Sequence, residues 1–279
     1  MTISVRAATI AAAPLFDAAH LLLPHLERGQ RIDAGVLRAV MDSAFGGSDS
    51  EGAWDWKMAY DACEAATVLF LRKFGPVMRS RAGSNAAMAP MLAKIASLLP
   101  THTRRSEESQ TLQQFSTPIA LGFAASVAAA ITSTDLVLEP SAGTGLLAIF
   151  AELAGASFVL NELAESRAGL LRDLFPGVSV TKFDAAQIDD HLDAGLAPSV
   201  VLMNPPFSAL ANVERRMADA ALRHIAFGLH CGPHHCRSPN RPCLRHLQRC
   251  AGQPSHSEFA LCQRRAEKQF LYVGRCLAG

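Results

Sequence analysis

The sequence has few of the features that usually direct a chain to a nucleic acid, a membrane or a phosphate group. Its 279 residues carry a net charge of +1, so nucleic acid is not attracted overall, and any such contact must be local or supplied by a partner domain. The apolar opening, residues 7–23, is interrupted by Pro14, Asp17 and His20, and it lacks a small-residue cleavage site. This argues against a signal peptide and a membrane span. We therefore expect a cytoplasmic protein with no membrane partner, whose cysteines are thiols rather than disulfides.

A glycine turn follows a short apolar run in the middle of the chain. Residues 135–139 predict a buried strand, and Gly143 and Gly145 after it allow positive φ and a close approach of a ligand to the backbone. The third glycine of a dinucleotide fingerprint and the Gly-Lys-Ser/Thr of a phosphate loop are both missing. Glu139, at the strand's end, would repel a phosphate but suits an ammonium or sulfonium group. The turn therefore predicts a cationic ligand.

Three further apolar runs end on polar residues and extend the same pattern. They predict strands at residues 157–160, 178–183 and 199–203, which lead into Glu162, Asp184 and Asn204. Glu162 has the position of an acidic residue that accepts from ribose hydroxyls about 20 residues beyond the glycine turn. Helix-length segments separate the strands. We therefore predict an α/β fold, a Rossmann-like doubly wound parallel sheet that is incomplete at the C-terminus, with its ligand at the carboxyl ends of the strands.

The most informative motif is Asn204-Pro205-Pro206-Phe207, directly behind the last of these strands. The two prolines have fixed φ and no N–H, so the carbonyl groups there are free to accept from a ligand. The Asn204 side-chain oxygen and a neighbouring carbonyl can receive both hydrogens of an exocyclic amine, and Phe207 offers a flat face for the attached ring. Alone, such a segment could be an ordinary turn. Here, however, the motif follows the fourth of four predicted strands that all lead into polar residues. This arrangement favours a binding function over an ordinary turn.

Together these motifs resemble the class I S-adenosylmethionine-dependent N6-adenine DNA methyltransferases. More narrowly, they resemble the methylase region at the front of large bacterial proteins that carry a strawberry-notch-like helicase further on. The resemblance rests on Leu-Glu-Pro-Ser-Ala-Gly-Thr-Gly at residues 138–145, Asn-Pro-Pro-Phe at 204–207, and Gln-Phe-Ser-Thr-Pro at 114–118. It covers about residues 114–226, with the segments in the family's order, and the sequence contains no helicase motif.

The resemblance implies S-adenosylmethionine as the cofactor and a role for each matching position. Phe115, Thr117 and Pro118 would contact its methionine end, Glu139, Ala142, Gly143 and Gly145 would form its floor, Glu162 would hold its ribose, and Asp184 its adenine amine. Asn204, Pro205, Pro206 and Phe207 would hold and stack the target adenine, which must flip out of the DNA helix to reach them. A helicase-like domain is implied as a candidate partner.

Other interpretations remain open at this point. RNA or the glutamine amide of a protein could be the methyl acceptor, because Asn-Pro-Pro-aromatic suits any planar amino group. An inactive remnant that only binds cofactor or nucleic acid is a third interpretation. Taken singly, Glu162 and Asp184 could be solvated strand ends, and Phe115 could be a core aromatic.

The rest of the chain predicts two further regions around the methyltransferase domain, which we place at residues 106–226. Residues 1–105 predict a helical domain with helices at 13–28, 33–44, 53–74 and 86–98, breaks at Gly46-Gly47 and Gly75-Pro76, and Trp54, Trp56 and Tyr60 in its core. An aromatic surface for unpaired bases is the alternative for those three rings. Acidic residues that include Asp61 and Glu64 offset the lysines and arginines, so no basic stripe is expected.

Residues 227–279 form an atypical tail that holds six of the seven cysteines. A zinc module would explain the Cys and His residues, but there is no Cys-x2-Cys pair. A change of reading frame near Ala226 would also explain them, because Cys, Arg, His, Pro and Ser are what an off-frame reading of a GC-rich gene tends to produce. We favour this second explanation, which predicts a truncated methyltransferase domain, a poorly ordered tail and no metal.

Overall fold

The computed structural model describes residues 3–101, 116–193, 195–204 and 272–275. Phe115, the linker before it, and Pro205, Pro206 and Phe207 therefore lie outside the described residues, as does most of the tail. In the described ranges no helix is both long enough and apolar enough to cross a membrane. The cytoplasmic location stays a prediction.

Four helices form the front of the chain, as the sequence predicts. They are α1 (Ile3–Glu27), α2 (Ala34–Phe45), α3 (Trp56–Ala82) and α4 (Asn85–Ala96). The last three begin behind Asp33, Asp55 and Ser84, whose side chains accept backbone N–H groups of the first helical turn. Trp54 and Tyr60 are buried, as a core role predicts, and Trp56 is half-buried.

The predicted break at Gly75-Pro76 is wrong, because α3 continues through both residues to Ala82. A proline inside a helix costs about 3 kcal/mol, but 13 of the 27 residues of α3, between Lys57 and Gly75, are buried against its neighbours, and this burial outweighs the loss. Gly75 has a different purpose from ending the helix. A Cβ atom at Gly75 would lie 2.8 Å from Cδ1 of Leu153, so the glycine permits a close approach of α3 to the sheet region.

Four parallel strands make the sheet. They are β1 (Leu136–Glu139), β2 (Ser157–Asn161), β3 (Val180–Thr181) and β4 (Val200–Met203), in the spatial order β3-β2-β1-β4. The helices around them are α5 (Ile119–Ala128), α6 (Ala148–Leu153), α7 (Glu165–Leu174) and α8 (Ile188–His191). The α/β class with a parallel sheet and a helical front region is therefore confirmed. The strand order reverses between β1 and β4.

Helices cover both faces of the sheet. Alternate strand residues point to opposite faces, and Val137 and Val200 pack with α5 and α6 on one side. Leu138 and Val201 pack on the other side, with Ile188 of α8. Both faces are apolar, which explains why the strands are continuous hydrophobic runs.

The helical front and the sheet region share one buried hydrophobic cluster. It contains Leu15 and Leu22 of α1 and Leu71 of α3 together with Leu170 of α7 and the following Phe175. The domain boundary near residue 105 stays a prediction, but the residues on its two sides pack as one core.

Two strands differ from the prediction. The run at residues 178–183 forms a strand only at Val180–Thr181, because the Asn161 side chain, instead of a strand neighbour, bonds both the N–H and the carbonyl of Phe183. A fifth strand, β5 (Tyr272–Arg275), pairs antiparallel with β4. The sequence analysis did not assign this part of the tail to the sheet, and the remaining tail lies outside the described residues.

Candidate functional site

The glycine turn between β1 and α6 has the backbone that its sequence predicts. Gly143 has φ +58° and Gly145 has φ +85°, a region that strongly favours glycine. A Cβ atom at Gly145 would lie only 2.5 Å from a ring carbon of Phe175, so the close approach of α7 also requires glycine there. The Ala142 N–H donates to the Asn161 carbonyl at 2.9 Å. The turn is therefore fixed to the end of β2.

Asn161 is the residue that joins the loops at this edge. Its Nδ2 donates to the Pro140 carbonyl at 2.8 Å and to the Phe183 carbonyl at 2.9 Å, and its Oδ1 accepts from Thr181 and from the Phe183 N–H. Sequence reasoning placed Asn161 at a strand end but gave it no role. A side-chain amide directly after an apolar strand was the signal, because a buried amide needs several hydrogen-bond partners.

Glu139 ends β1 inside the site and is 2% exposed. The Ala148 N–H donates to its carboxylate, whereas Oε2 of Glu139 and Oγ of Ser141 are the two buried side-chain polar atoms without a partner in the described part of the chain. Burial, and then the nearby charge of Glu162, raise the pKa of Glu139 well above its ordinary value. Because unpartnered buried polar atoms are rare in folded proteins, these two atoms mark a place where a ligand donor would fit.

Glu162 is buried as well, so it is not a solvated strand end. Its Oε2 accepts the Gly143 N–H at 2.8 Å and its Oε1 accepts the Ala164 N–H at 2.9 Å. Burial, with a smaller effect of the charge of Asp61, raises the pKa of Glu162 above its ordinary value although Arg167 and these two N–H groups lower it. Each carboxylate oxygen can accept a further hydrogen bond. Glu162 therefore fixes the turn and keeps acceptor capacity for a ligand.

Asp184 follows β3 and is exposed. Its Oδ1 accepts the Ala186 N–H at 2.9 Å, at the start of a short 3-10 turn (Ala185–Gln187). Asp184 is linked to the glycine turn through the neighbouring Phe183, whose backbone Asn161 holds. It therefore lies at the rim of the site.

Asn204 and Thr117 meet beside this turn although 87 positions separate them in sequence. The Asn204 Nδ2 donates to the Thr117 Oγ1 at 3.0 Å. Pro118 precedes α5, and Gly122 in that helix lies so near the start of α6 that a Cβ atom on it would be 2.9 Å from the Leu146 carbonyl. Asn204 follows β4, the neighbour of β1, so both residues lie where the strand order reverses.

A buried ion network from α3 underlies the turn, and the sequence analysis missed it. Arg167 of α7 donates to Asp61 through Nε at 3.1 Å and Nη2 at 2.7 Å, and the Lys57 ammonium lies 3.3 Å from the same carboxylate. Thr144, between the two glycines, donates through Oγ1 to Oε2 of Glu64. The prediction that Asp61 and Glu64 offset surface charge is wrong, because both are buried.

A sequence signal for this network did exist. Lys57, Asp61 and Glu64 are spaced four and three residues apart, which places them on one face of a helix. Charged residues repeated on one face of an otherwise apolar helix can face a buried partner as well as solvent. The distant partners, Arg167 and Thr144, carry no such signal in the sequence.

The structure thus gathers most of the predicted residues at one edge. Glu139, Ala142, Gly143, Gly145 and Glu162 form one contact network, Thr117 and Asn204 form a pair beside it with Pro118, and Asp184 lies at its rim. The described ranges contain no group of three or more His, Cys, Asp or Glu side chains placed to hold a metal ion. The tail cysteines considered as zinc ligands lie outside those ranges.

Comparisons of the chain with protein-family models, with curated proteins and with solved structures found no match. The function must therefore be argued from the motifs and from the geometry of the site.

Proposed function

We propose that this chain is an S-adenosylmethionine-dependent methyltransferase with a Rossmann-like doubly wound sheet, and that it methylates the exocyclic N6 amine of adenine in DNA. The hydrogen bond from Asn204 to Thr117 carries the proposal. It joins two of the three segments on which the family resemblance rests, beside the third segment and at the reversal of strand order where such sheets bind ligands.

The charges of the site support a cationic ligand. Four carboxyl groups, those of Asp61, Glu64, Glu139 and Glu162, are buried around the glycine turn, against the two buried cations Lys57 and Arg167. A phosphate would have to lie against Glu139 and Glu162. The unpartnered Oε2 of Glu139 can instead accept from an ammonium group. Such a cation would favour the ionised form of Glu139, which burial disfavours without a ligand. The site therefore suits a ligand that carries ammonium and sulfonium charges.

The residues present fit S-adenosylmethionine in three further respects. Glu162 keeps acceptor capacity for ribose hydroxyls, Asp184 at the rim can accept from the adenine amine, and Gly143 leaves room above the backbone because a Cβ there would contact only Arg167, at 4.0 Å. When bound, the cofactor supplies a methyl group on a sulfonium that leaves as a neutral thioether.

Asn204 has the orientation that the reaction needs. Because its Nδ2 donates to Thr117, its Oδ1 is left to accept a hydrogen of the target amine. Accepting the amine hydrogens draws the nitrogen toward tetrahedral geometry and restores its lone pair, which is otherwise delocalised into the purine ring. The roles of the next three residues are proposed from the sequence motif. A carbonyl at Pro205-Pro206 would be the second acceptor, and Phe207 would stack on the base. Catalysis would then be mainly orientation and electrostatics.

The proposal is tested by binding and transfer measurements on the same preparations. We expect saturable one-site binding of S-adenosylmethionine by calorimetry, and transfer of tritium from labelled cofactor to unmethylated DNA in preference to RNA or to a glutamine-containing peptide. Asn204→Ala should lower transfer on the order of 100-fold and leave cofactor binding unchanged, whereas Asp184→Ala should weaken cofactor binding.

Asn85→Ala is the matched control, because Asn85 is exposed at the start of α4 and is not among the residues that form the site. An Asn204→Ala variant as active as the wild type would refute the mechanism. Absence of cofactor binding by the wild type would refute the proposed function. Binding without transfer to any of the three acceptors would leave a remnant that only binds the cofactor.

A further inference from the structure

We propose that Glu64 of α3 is a positioning residue for the glycine turn, so that the helical front region forms part of the ligand site. Glu64 accepts a hydrogen bond from Thr144, which lies 80 positions further along the chain. Thr144 belongs to one of the three segments that resemble the family, whereas Glu64 lies outside all three. The identity of the ligand rests on the proposed function, whereas the effect of Glu64 on the turn does not.

The turn needs an anchor of this kind because glycine surrounds Thr144 on both sides. Glycine loses more conformational freedom on folding than any other residue, so the ordering of a Gly-Thr-Gly segment has a large unfavourable entropy. Thr144 supplies the side chain of this segment, and it is buried. Its hydroxyl therefore offers the one side-chain handle by which a neighbouring element can hold Gly-Thr-Gly.

The turn is held from two sides, and α3 is one of them. On the side of β2, the Gly143 N–H donates to Glu162 and the Ala142 N–H donates to the Asn161 carbonyl. On the side of α3, the Thr144 hydroxyl donates to Glu64. A carboxylate acceptor makes this a charge-assisted hydrogen bond, about twice as strong as a neutral one.

The buried ion network holds Glu64 in place. Arg167 binds Asp61, one helical turn before Glu64, through two of its nitrogens. Burial lowers the pKa of Arg167, but the charges of Asp61, Glu64 and Glu162 together raise it. Arg167 thus interacts with carboxylates on both sides of the turn, and α3 cannot shift without disturbing the turn.

Hydrogen exchange at the amides of Gly143, Thr144 and Gly145 in the full chain without ligand tests this proposal. Glu64→Ala and Thr144→Val should each raise exchange there by about tenfold, as expected for the loss of one hydrogen bond to a charged group. The double variant should raise it no further, because both changes remove the same contact. Glu64→Gln removes the charge but keeps an acceptor oxygen, so it should retain most of the protection. If only the charge of Glu64 mattered, Glu64→Gln would lose protection as Glu64→Ala does.

Lys73→Ala is the matched control. Lys73 also lies on α3 and also pairs with a glutamate of another element, Glu27 of α1, at 2.6 Å, but it makes no contact with the turn. It should leave exchange at the turn unchanged. Equal exchange in Glu64→Ala and wild type, or an equal effect of Lys73→Ala, would overturn the proposal.

Affinity for S-adenosylmethionine gives a second readout. Glu64→Ala and Thr144→Val should each raise the Kd by about tenfold, and Lys73→Ala should not change it. If the wild type does not bind this cofactor, the proposed function fails, while the exchange measurement still decides whether Glu64 holds the turn.

Discussion

Helix α3 meets the sheet region through two ion pairs that have similar distances and opposite surroundings. Asp61 and Arg167 pair beside the glycine turn, with side chains 1% and 8% exposed. Arg72 lies about three helical turns after Asp61 in α3. It pairs with Glu152, and these side chains are 32% and 29% exposed. The comparison shows that the role of an ion pair depends on whether water can replace a lost partner.

At the half-buried pair of Arg72 and Glu152, water can solvate either charge when the other is removed. At the buried pair it cannot, so Asp61 is needed to neutralise Arg167 and Lys57. Burial raises the pKa of Asp61, but the charges of Arg167 and Lys57 outweigh it and lower this pKa overall. By linkage, the contribution of Asp61 to stability is present above its unfolded-state pKa and is lost as the pH falls through its folded-state pKa.

The largest expected effect is from Asp61→Ala. It leaves two buried cations without their partner, so we expect a loss of about 3–5 kcal/mol in the free energy of unfolding, measured with urea. Arg72→Ala removes a half-buried pair that water reaches, so it should cost less, about 1 kcal/mol. Equal losses in the two variants would contradict the distinction between the buried and the half-buried pair.

A smaller loss of stability is expected from Gly145→Ala. Comparison with Gly177→Ala separates the effect of crowding at the turn from the effect of backbone strain. Gly145 and Gly177 have the same φ of +85°, but a Cβ at Gly145 would lie 2.5 Å from Phe175, whereas nothing lies within 4 Å of one at Gly177. Both variants bear the backbone strain of about 1–3 kcal/mol. Gly145→Ala should lose about 1–3 kcal/mol more, from overpacking. Equal urea midpoints for the two variants would show that α7 yields without cost.

The smallest effect is a change in how stability depends on pH. The raised pKa of Glu139 means that the folded state keeps a proton that the unfolded chain loses near its ordinary pKa of 4.5. Stability conferred by Glu139 therefore falls as the pH rises above that value toward the folded-state pKa. Glu139→Gln should remove this fall, so that its stability relative to wild type increases as the pH rises above 4.5 toward the folded-state pKa of Glu139. Parallel pH profiles would contradict a buried protonated Glu139.

Local patterns were sufficient to predict much of the fold. The apolar runs at β1 and β4 are strands buried on both faces, and the run at β2 is a strand buried toward its carboxyl end. Asp33, Asp55 and Ser84 mark helix starts through their own side chains. The predicted break at Gly75-Pro76 was wrong because a distant contact mattered more than local preference. Glycine and proline both disfavour helix, but α3 packs closely against Leu153 at Gly75 and continues.

The candidate site likewise divides into features set by local sequence preferences and features set by contacts between distant residues. The sequence by itself determined the glycine turn and the polar strand ends, because φ preferences and strand alternation act between near neighbours. Only the tertiary structure decided that Thr117 meets Asn204, that Arg167 meets Asp61, and that Glu64 holds Thr144. These pairs lie 80 or more positions apart in sequence, and no local energy term selects them. Burial selects them, since a charge or a hydroxyl removed from water must find a partner wherever the fold places one.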